Sequence, residues 1–286
     1  IAGRTEVEIS KAKVGDIWTY TDLTHTGIVR QIEDGKVLVE HCSNVEGGVV
    51  QTWFASGRCW RTGRSGGPDH FGYTYLDSNR PGGPTYDWIE ISGTGTEILT
   101  DSDDNWVANI NIGFFFNYYG TDYSRLAIGN NGLLFSGVGT RQYVNDPITQ
   151  SPNIHGFIAP YWDDIVTWGS AGAIYYQTIG TAPNRKFVVE WYDTQHYHFS
   201  TSGITFEVVL YEGTNNILFQ YKDISFGSVS GAVGGDNPPY DNGGSATVGI
   251  EDLTGNIGLQ YSFNEQVITP SLAILFKFPA FAGTNM

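Results

Sequence analysis

Apolar and polar residues alternate along most of this chain at the two-residue period of a β-strand, not at the 3.6-residue period of a helix. In 109–116 the side chains of Ile110, Ile112, Phe114 and Phe116 fall on one face, as a half-buried strand requires. A hairpin is predicted next. Residues 126–129 and 133–135 flank Asn130-Asn131-Gly132, and Asn and Gly tolerate the positive φ of a tight strand-connecting turn. Further strands are predicted at 173–178, 186–192, 204–211, 217–221, 246–250, 258–262 and 271–278, each rich in β-branched and aromatic residues between turn signals. No helical period and no fixed-spacing repeat stands out, so the expected class is all-β, built from antiparallel sheets.

Residues 1–85 differ in character from the rest and read as a small antiparallel β domain preceding a larger one over 86–286. Their strand-like stretches are VGDIWTYTD, GIVRQIEDGKVLVEHC and VVQTWFASGRCWRTG, with Glu33-Asp34-Gly35-Lys36 as a hairpin turn. The segment 63–85, rich in Gly, Pro, Asp and Ser, marks the boundary, although Phe71, Tyr73 and Tyr75 alternate within it as in a short strand. Tyr86-Asp87-Trp88-Ile89-Glu90-Ile91 then opens the larger domain. Arg58, Arg61, Arg64 and Arg80 form a small basic island, suited to covering aromatic faces or pairing with carboxylates, or to docking an acidic neighbour.

The run IGFFFNYYGTDYSRLAIGNNGLLFSG, followed by PNIHGFIAPYWDD, resembles the nidogen-like extracellular domain and related β-sandwich modules of secreted bacterial proteins. The similarity continues through FVVEWYDTQHY, ITFEVVLYEGTNNILFQYKD, ATVGIEDLTGNIGLQYS and LAILFKF, covering roughly 86–278. It implies an antiparallel sandwich and an extracellular setting. Such modules share no single activity, so function has to be argued from the site.

Charge narrows the choice of partners. The net charge is −15, from 30 acidic against 15 basic residues, a balance that repels phosphate backbones and anionic membrane surfaces. No apolar run approaches the ~18 residues of a membrane span. Aromatics make up 14% and charged residues only 16%, below the ~25% usual for a soluble domain, so Tyr, Thr, Ser, Asn and Gly must supply much of the polar surface. The single methionine is Met286, which leads to the expectation that an N-terminal segment has been removed. Cys42 and Cys59 lie in neighbouring strand-like segments that a turn near Gly47-Gly48 would bring side by side. In a secreted chain such a pair is expected to form a disulfide.

Candidate chemistry is sparse. Asp101, Asp103 and Asp104, with Asn105, are the densest oxygen-donor cluster and a candidate calcium site, since Ca²⁺ takes six to eight oxygens. An ordinary solvated turn is the plainer account. Asp163 and Asp164 in APYWDD suit turn capping first and calcium second. The loop 227–244 carries Asp236, Tyr240 and Asp241 as ligand-loop candidates, but nothing in the sequence says that it meets the 101–105 turn. His196 and His198 share a strand face and would hold a transition metal only with a third ligand from elsewhere. His155 is expected in a loop near Asp163. No GxSxG, HExxH or phosphate-binding glycine loop is present. A hydrolase would have to use carboxylates such as Asp163 with Glu190 or Glu207.

These observations favour a non-enzymatic, secreted or cell-surface structural or adhesive protein that binds copies of itself or other surface proteins and glycans, with no cofactor other than calcium in view. Self-association into filaments or matrix is expected to use the terminal strand Glu6, Val7, Glu8 and Ile9, by addition to a neighbour's sheet edge, and the aromatics Tyr118, Tyr119 and Tyr197. Tyr161, Trp168, Tyr175, Tyr176 and Tyr192 belong to the same aromatic surplus. The alternative is a carbohydrate- or protein-binding accessory module of a larger secreted protein.

Overall fold

In a computed structural model the described residues are 5–7, 12, 17–19, 26–33, 36–43, 48–54, 58–61, 64–168, 172–198, 201–227 and 240–280. Apart from one 3-10 turn at Asp241–Gly243, every regular element among them is a strand. The chain divides into two compact units, one made of 1–65 with 76–84 and the other of 66–75 with 85–286.

The smaller unit carries β1 (Thr5–Val7), β2 (Ile17–Thr19), β3 (Thr26–Glu33), β4 (Lys36–Ser43), β5 (Gly48–Phe54) and β6 (Arg58–Arg61). They form a six-stranded antiparallel sheet in the order β1-β6-β2-β3-β4-β5. The β3–β4 hairpin closes at Glu33 opposite Lys36, where the Asp-Gly turn was expected. Its core is Trp18, Val29, Val37 and Val39, and the Trp18 ring stacks on Phe54 at 3.8 Å. This pairing bears on two expectations. Glu6 and Val7 lie opposite Trp60 and Cys59 of β6, so the N-terminal strand is paired within the chain along one side and forms the edge of the described sheet along the other; Glu8 and Ile9 lie outside the described residues. The turn after β4 sets Cys42 opposite Val49, and β2 and β3 intervene between the strands bearing Cys42 and Cys59. The backbone pairing does not bring the two cysteines side by side.

The rest of the chain supplies β7 (Ser65–Gly66), β8 (Thr74–Asp77), β9 (Thr96–Ile98), β10 (Trp106–Tyr118), β11 (Thr121–Gly129), β12 (Leu133–Phe135) and β13 (Phe157–Trp162). These are followed by β14 (Ile165–Val166), β15 (Ala173–Ile179), β16 (Lys186–His196), β17 (Ile204–Tyr211), β18 (Ile217–Asp223), β19 (Thr247–Glu251), β20 (Gly258–Phe263) and β21 (Ala273–Lys277). One sheet has the order β10-β11-β12-β13-β19-β20 and the other β7-β8-β21-β18-β17-β16-β15-β9, with β14 paired to β16. The main core lies between the two sheets. Ile110, Ile112, Phe114 and Phe116 of β10 meet Phe187, Val189 and Trp191 of β16 and Phe206, Val208 and Leu210 of β17 in one apolar cluster. Each such side chain contributes roughly 1.5–3 kcal/mol on leaving water.

Strands β13 and β17 are buried almost throughout instead of alternating, because the outer face of each sheet is covered as well. On β13, Phe157, Ala159 and Trp162 pack under Ile148 and Ile154 of the loop before it. On β16–β18, Val188, Val209 and Leu218 pack under the segment 86–91, with Ile91 buried against them. That segment opens the larger domain, as expected, but not as a strand. It pairs with no strand; its amides bond to side chains instead.

Strand β10 is a sheet edge, and its ladder is broken: 112–115 stand opposite Ser124 alone. The Ile112 carbonyl accepts the Thr178 hydroxyl at 2.7 Å, and the Gly113 carbonyl accepts from the Arg185 guanidinium. Bulging and side-chain caps of this kind blunt an edge against pairing with another chain.

Candidate functional site

Segments distant in sequence converge at one end of the sandwich. Ser102 lies beside Thr167, with the Thr167 amide donating to the Ser102 carbonyl at 3.0 Å and the Asp101 amide to the Thr167 carbonyl at 2.8 Å. The hairpin asparagines hold this turn in place. Asn130 Oδ1 accepts the Asn105 amide at 2.7 Å, and its Nδ2 donates to the Ile165 carbonyl at 2.9 Å. Asn131 Nδ2 donates to Asp104 Oδ1 at 2.9 Å, while its Oδ1 accepts the Ile165 amide at 3.3 Å. Both side chains are buried. Of the three turn residues only Gly132 has a positive φ, +70°. The asparagines therefore serve through their amides and not, as expected, through backbone tolerance.

This arrangement gathers Asp103, Asp104 and Asp164, each half-buried, with one carboxylate oxygen from each within 4.8 Å of the others. Asp103 Oδ1 is shielded from solvent and has no hydrogen-bond partner. Burial pushes Asp164 up to about 7; His196 pulls it down, and Asp104, Asp103 and Asp163 add repulsion. Burial and then Asp104 raise Asp103 in the same way. Asp101, the remaining member of the expected set, is exposed and stands outside the cluster; Asp164 takes its place. Closely spaced carboxylates with unspent oxygens suit a proton or a hard cation such as calcium.

The other aspartate of the pair faces a different set. Asp163 is 5% exposed; its Oδ2 accepts the Ser245 hydroxyl at 2.5 Å, and its Oδ1 accepts the Asp164 amide at 2.9 Å. His196 Nε2 lies 3.7 Å from the same Oδ1. The His196 Nδ1 accepts the His198 amide at 3.1 Å, which leaves Nε2 to carry the proton of a neutral ring. A hydroxyl activated for attack needs the imidazole between itself and the carboxylate. Here the carboxylate stands between the two, as in a structural clamp.

The long loop also arrives at this end. Tyr240 lies over His196 with ring centroids 4.1 Å apart, and His198 stacks on His196 at 5.3 Å. Asp241 pins the base of the loop, taking the Phe226 amide at 2.6 Å and the Ser225 hydroxyl at 3.2 Å. Tyr240 is raised by burial and by Asp163 and Asp164, which sets the base of the loop beside the WDD aspartates. Asp236 lies outside the described residues. Tyr197 is 41% exposed beside Trp168, with ring centroids 5.5 Å apart.

Other expected site residues are placed elsewhere. Tyr118 is buried, its one hydroxyl proton shared between the carbonyls of Phe157 and Glu251 while its oxygen accepts the Glu251 amide, which corrects its assignment to an interface. Tyr161 is buried too, and Tyr119 is half-buried with its hydroxyl on Asp69 at 2.8 Å. Glu190 and Glu207 are sealed from solvent under 86–91, so neither can reach a substrate together with Asp163. His155 is in the loop before β13, 2.9 Å from the buried Glu251. The sequence reading missed Asn130, Asn131 and Asp164 as members of one site; the signal was the Asn-Asn pair in a turn that needs positive φ at one residue.

A second feature lies on the β10 edge, where an open groove of about 560 Å³ is lined by Asn111, Phe115, Ser124, Pro183, Arg185 and Glu212. Phe115 is 73% exposed. Arg185 is fixed by two bonds to Glu212, from Nε at 2.8 Å and Nη2 at 2.5 Å.

Among the described residues no helix is long and apolar enough to cross a membrane. No curated protein and no solved structure matches the chain. The resemblance of its motif series to nidogen-like modules is borne out: residues 77–280 match the family described as NIDO related. That span is well over half of the 286 residues, and the chain belongs to this family of extracellular-type β-sandwich modules.

Proposed function

We propose that the chain is a non-enzymatic structural or adhesive module, secreted or displayed at the cell surface, that joins copies of itself or other surface proteins through the loop end of its larger unit. The observation that carries this reading is the convergence at that end of the Asp103–Asp104–Asp164 cluster, the exposed Tyr197, and Tyr240 and Asp241 at the base of the long loop. Loops gathered at one end of a rigid sandwich are a common way to present a binding surface. Terminal-strand addition is a separate route: β21 is closed to it, lying between β8 and β18, while β1 is paired to β6 on one side and is a sheet edge on the other. Light scattering on the purified chain over a concentration series, with electron microscopy of native material, tests it. Concentration-dependent oligomers that weaken in Tyr197→Ala and Asp104→Asn support it. A monomer at all concentrations that also captures no surface protein rejects it.

The exposed Phe115 groove supports a second reading, a carbohydrate-binding module: an aromatic face can stack on a sugar while Asn111 and Ser124 meet hydroxyls. Glycan binding that disappears in Phe115→Ala and survives Tyr197→Ala would favour it over the first.

A further inference from the structure

Glu190 on β16 and Glu207 on β17 are Cα partners directly opposite each other, and Gln220 on β18 continues the same row. All three side chains are fully buried on the outer face of the sheet. Above them the segment 86–91 crosses the strands in extended form. Its amides fall on this row in turn: Asp87 donates to Gln220 Oε1 at 2.7 Å, Ile89 to Glu207 Oε1 at 3.3 Å and Ile91 to Glu190 Oε2 at 3.1 Å. Gln220 Nε2 returns to the Asp87 carbonyl at 2.7 Å and also reaches Glu207 Oε1 at 2.5 Å. The second oxygens, Glu190 Oε1 and Glu207 Oε2, are buried without any partner. A side-chain row thus replaces the backbone ladder that an ordinary strand would use.

Two carboxylates on directly opposite strand positions have Cβ atoms about 5 Å apart. Both cannot carry charge in a water-free layer without strong repulsion. The surrounding charges do not compensate. Glu90 on the strap raises Glu190 and Glu207 further; Lys222 on β18 lowers Glu190 but spends its ammonium on Glu90 at 2.7 Å. Asp87 on the strap adds another carboxylate nearby. The remaining titratable groups against the pair are the phenols of Tyr86 on the strap, Tyr175 on β15 and Tyr211 on β17, each raised in part by these glutamates.

We propose that 86–91 is a proton-dependent latch, closed over β16–β18 while Glu190 and Glu207 hold protons and released when both ionise, uncovering the apolar row Val188, Val209 and Leu218. The amide bonds of the strap set the geometry, and the protons make it tolerable. Burial, the chief cause in each case, pushes Glu190 up to about 7 and Glu207 to about 8, which places release on the alkaline side of neutrality.

Hydrogen exchange on the full chain, corrected for the intrinsic pH dependence of exchange, tests this between pH 6 and pH 9. Protection of the Asp87, Ile89 and Ile91 amides is expected to fall by about tenfold or more, while amides of β17 keep theirs. In Glu190→Gln/Glu207→Gln, whose neutral side chains retain the acceptor oxygens, protection of the strap should stay at its pH 6 level. Protection unchanged across the pH range in the native chain overturns the latch. So does an equal loss in the double variant, or a loss spread uniformly over the sheet. If the double variant does not fold, the native series and Glu207→Gln alone decide: with one carboxyl left there is no pair to repel, so the strap is expected to keep most of its protection up to pH 9, and a loss as large as the native chain's overturns the latch.

Discussion

The indole N–H of Trp191 on β16 donates to the carbonyl of Gly129 on β11 at 3.1 Å, a hydrogen bond that runs through the core from one sheet to the other. The same ring lies on Phe206 with centroids 4.9 Å apart and planes 10° from parallel. Trp191→Phe would remove the buried bond to the Gly129 carbonyl and open a small void. Urea denaturation should show a loss of about 2–4 kcal/mol, against less than about 1 kcal/mol for Trp88→Phe on the strap. Equal losses would mean that the inter-sheet bond is unimportant.

Gly132 has a φ of +70°, and a Cβ built there would collide with the Tyr161 carbonyl. Gly132→Ala combines backbone strain with displacement of β13, so a cost of about 2–4 kcal/mol is expected. Because Asn130 and Asn131 precede it, the variant should also disturb the acidic turn. Amide chemical shifts of 103–105 and 164–165 would report this; shifts confined to 131–133 would separate the turn from the site.

Carboxyls held above their ordinary range make the protein most stable in mild acid. Asp164 and Glu190 are pushed up to about 7 and Glu207 to about 8, each chiefly by burial, against 3.8 for an ordinary aspartate and 4.5 for an ordinary glutamate. The folded protein then binds protons that the unfolded chain gives up. Their contribution is full below about pH 4 and is lost as pH rises through 7 to 8. Glu90, held near 2 chiefly by its hydrogen bond to Lys222, acts in the opposite sense, but only as pH falls below about 4, and it is well exposed. The urea midpoint is therefore expected to be higher at pH 5.5 than at pH 8.5. The reverse order would contradict the burial of these groups.

Asp164→Asn removes one charge from the cluster with Asp103 and Asp104 and keeps the shape. At pH 8 without divalent ions the variant should melt at a higher temperature than the native chain, and the gap should close at pH 5. Calcium separates two roles for the turn. If the native melting temperature rises with millimolar calcium and that of the variant does not, the cluster binds the ion; equal responses would leave it a repulsive turn.

The strand pattern was legible because alternation is a local signal. Ile110, Ile112, Phe114 and Phe116 are all buried, with Asn111, Gly113 and Phe115 exposed between them. The motif order that pointed to a nidogen-like module is equally local. Partner choice is not. Asp164 joins Asp103 and Asp104 because two asparagine amides bridge segments about 60 residues apart, and no feature of WDD announces which aspartate turns which way. Burial of polar residues misled in the same manner. Glu190 and Glu207 look like solvent-facing positions on alternating strands, and become interior because 86–91 folds over them. Tyr118 sits in a polar aromatic stretch, yet its hydroxyl satisfies three backbone groups inside the core.

Both broad faces of the sandwich are already upholstered, one by Ile148 and Ile154 and the other by the 86–91 strap. A copy of the domain laid flat against either side would meet irregular backbone instead of a bare sheet. If copies of the module do join as proposed above, the end of the sandwich that carries Asp103, Asp104 and Asp164 is left to make the contact.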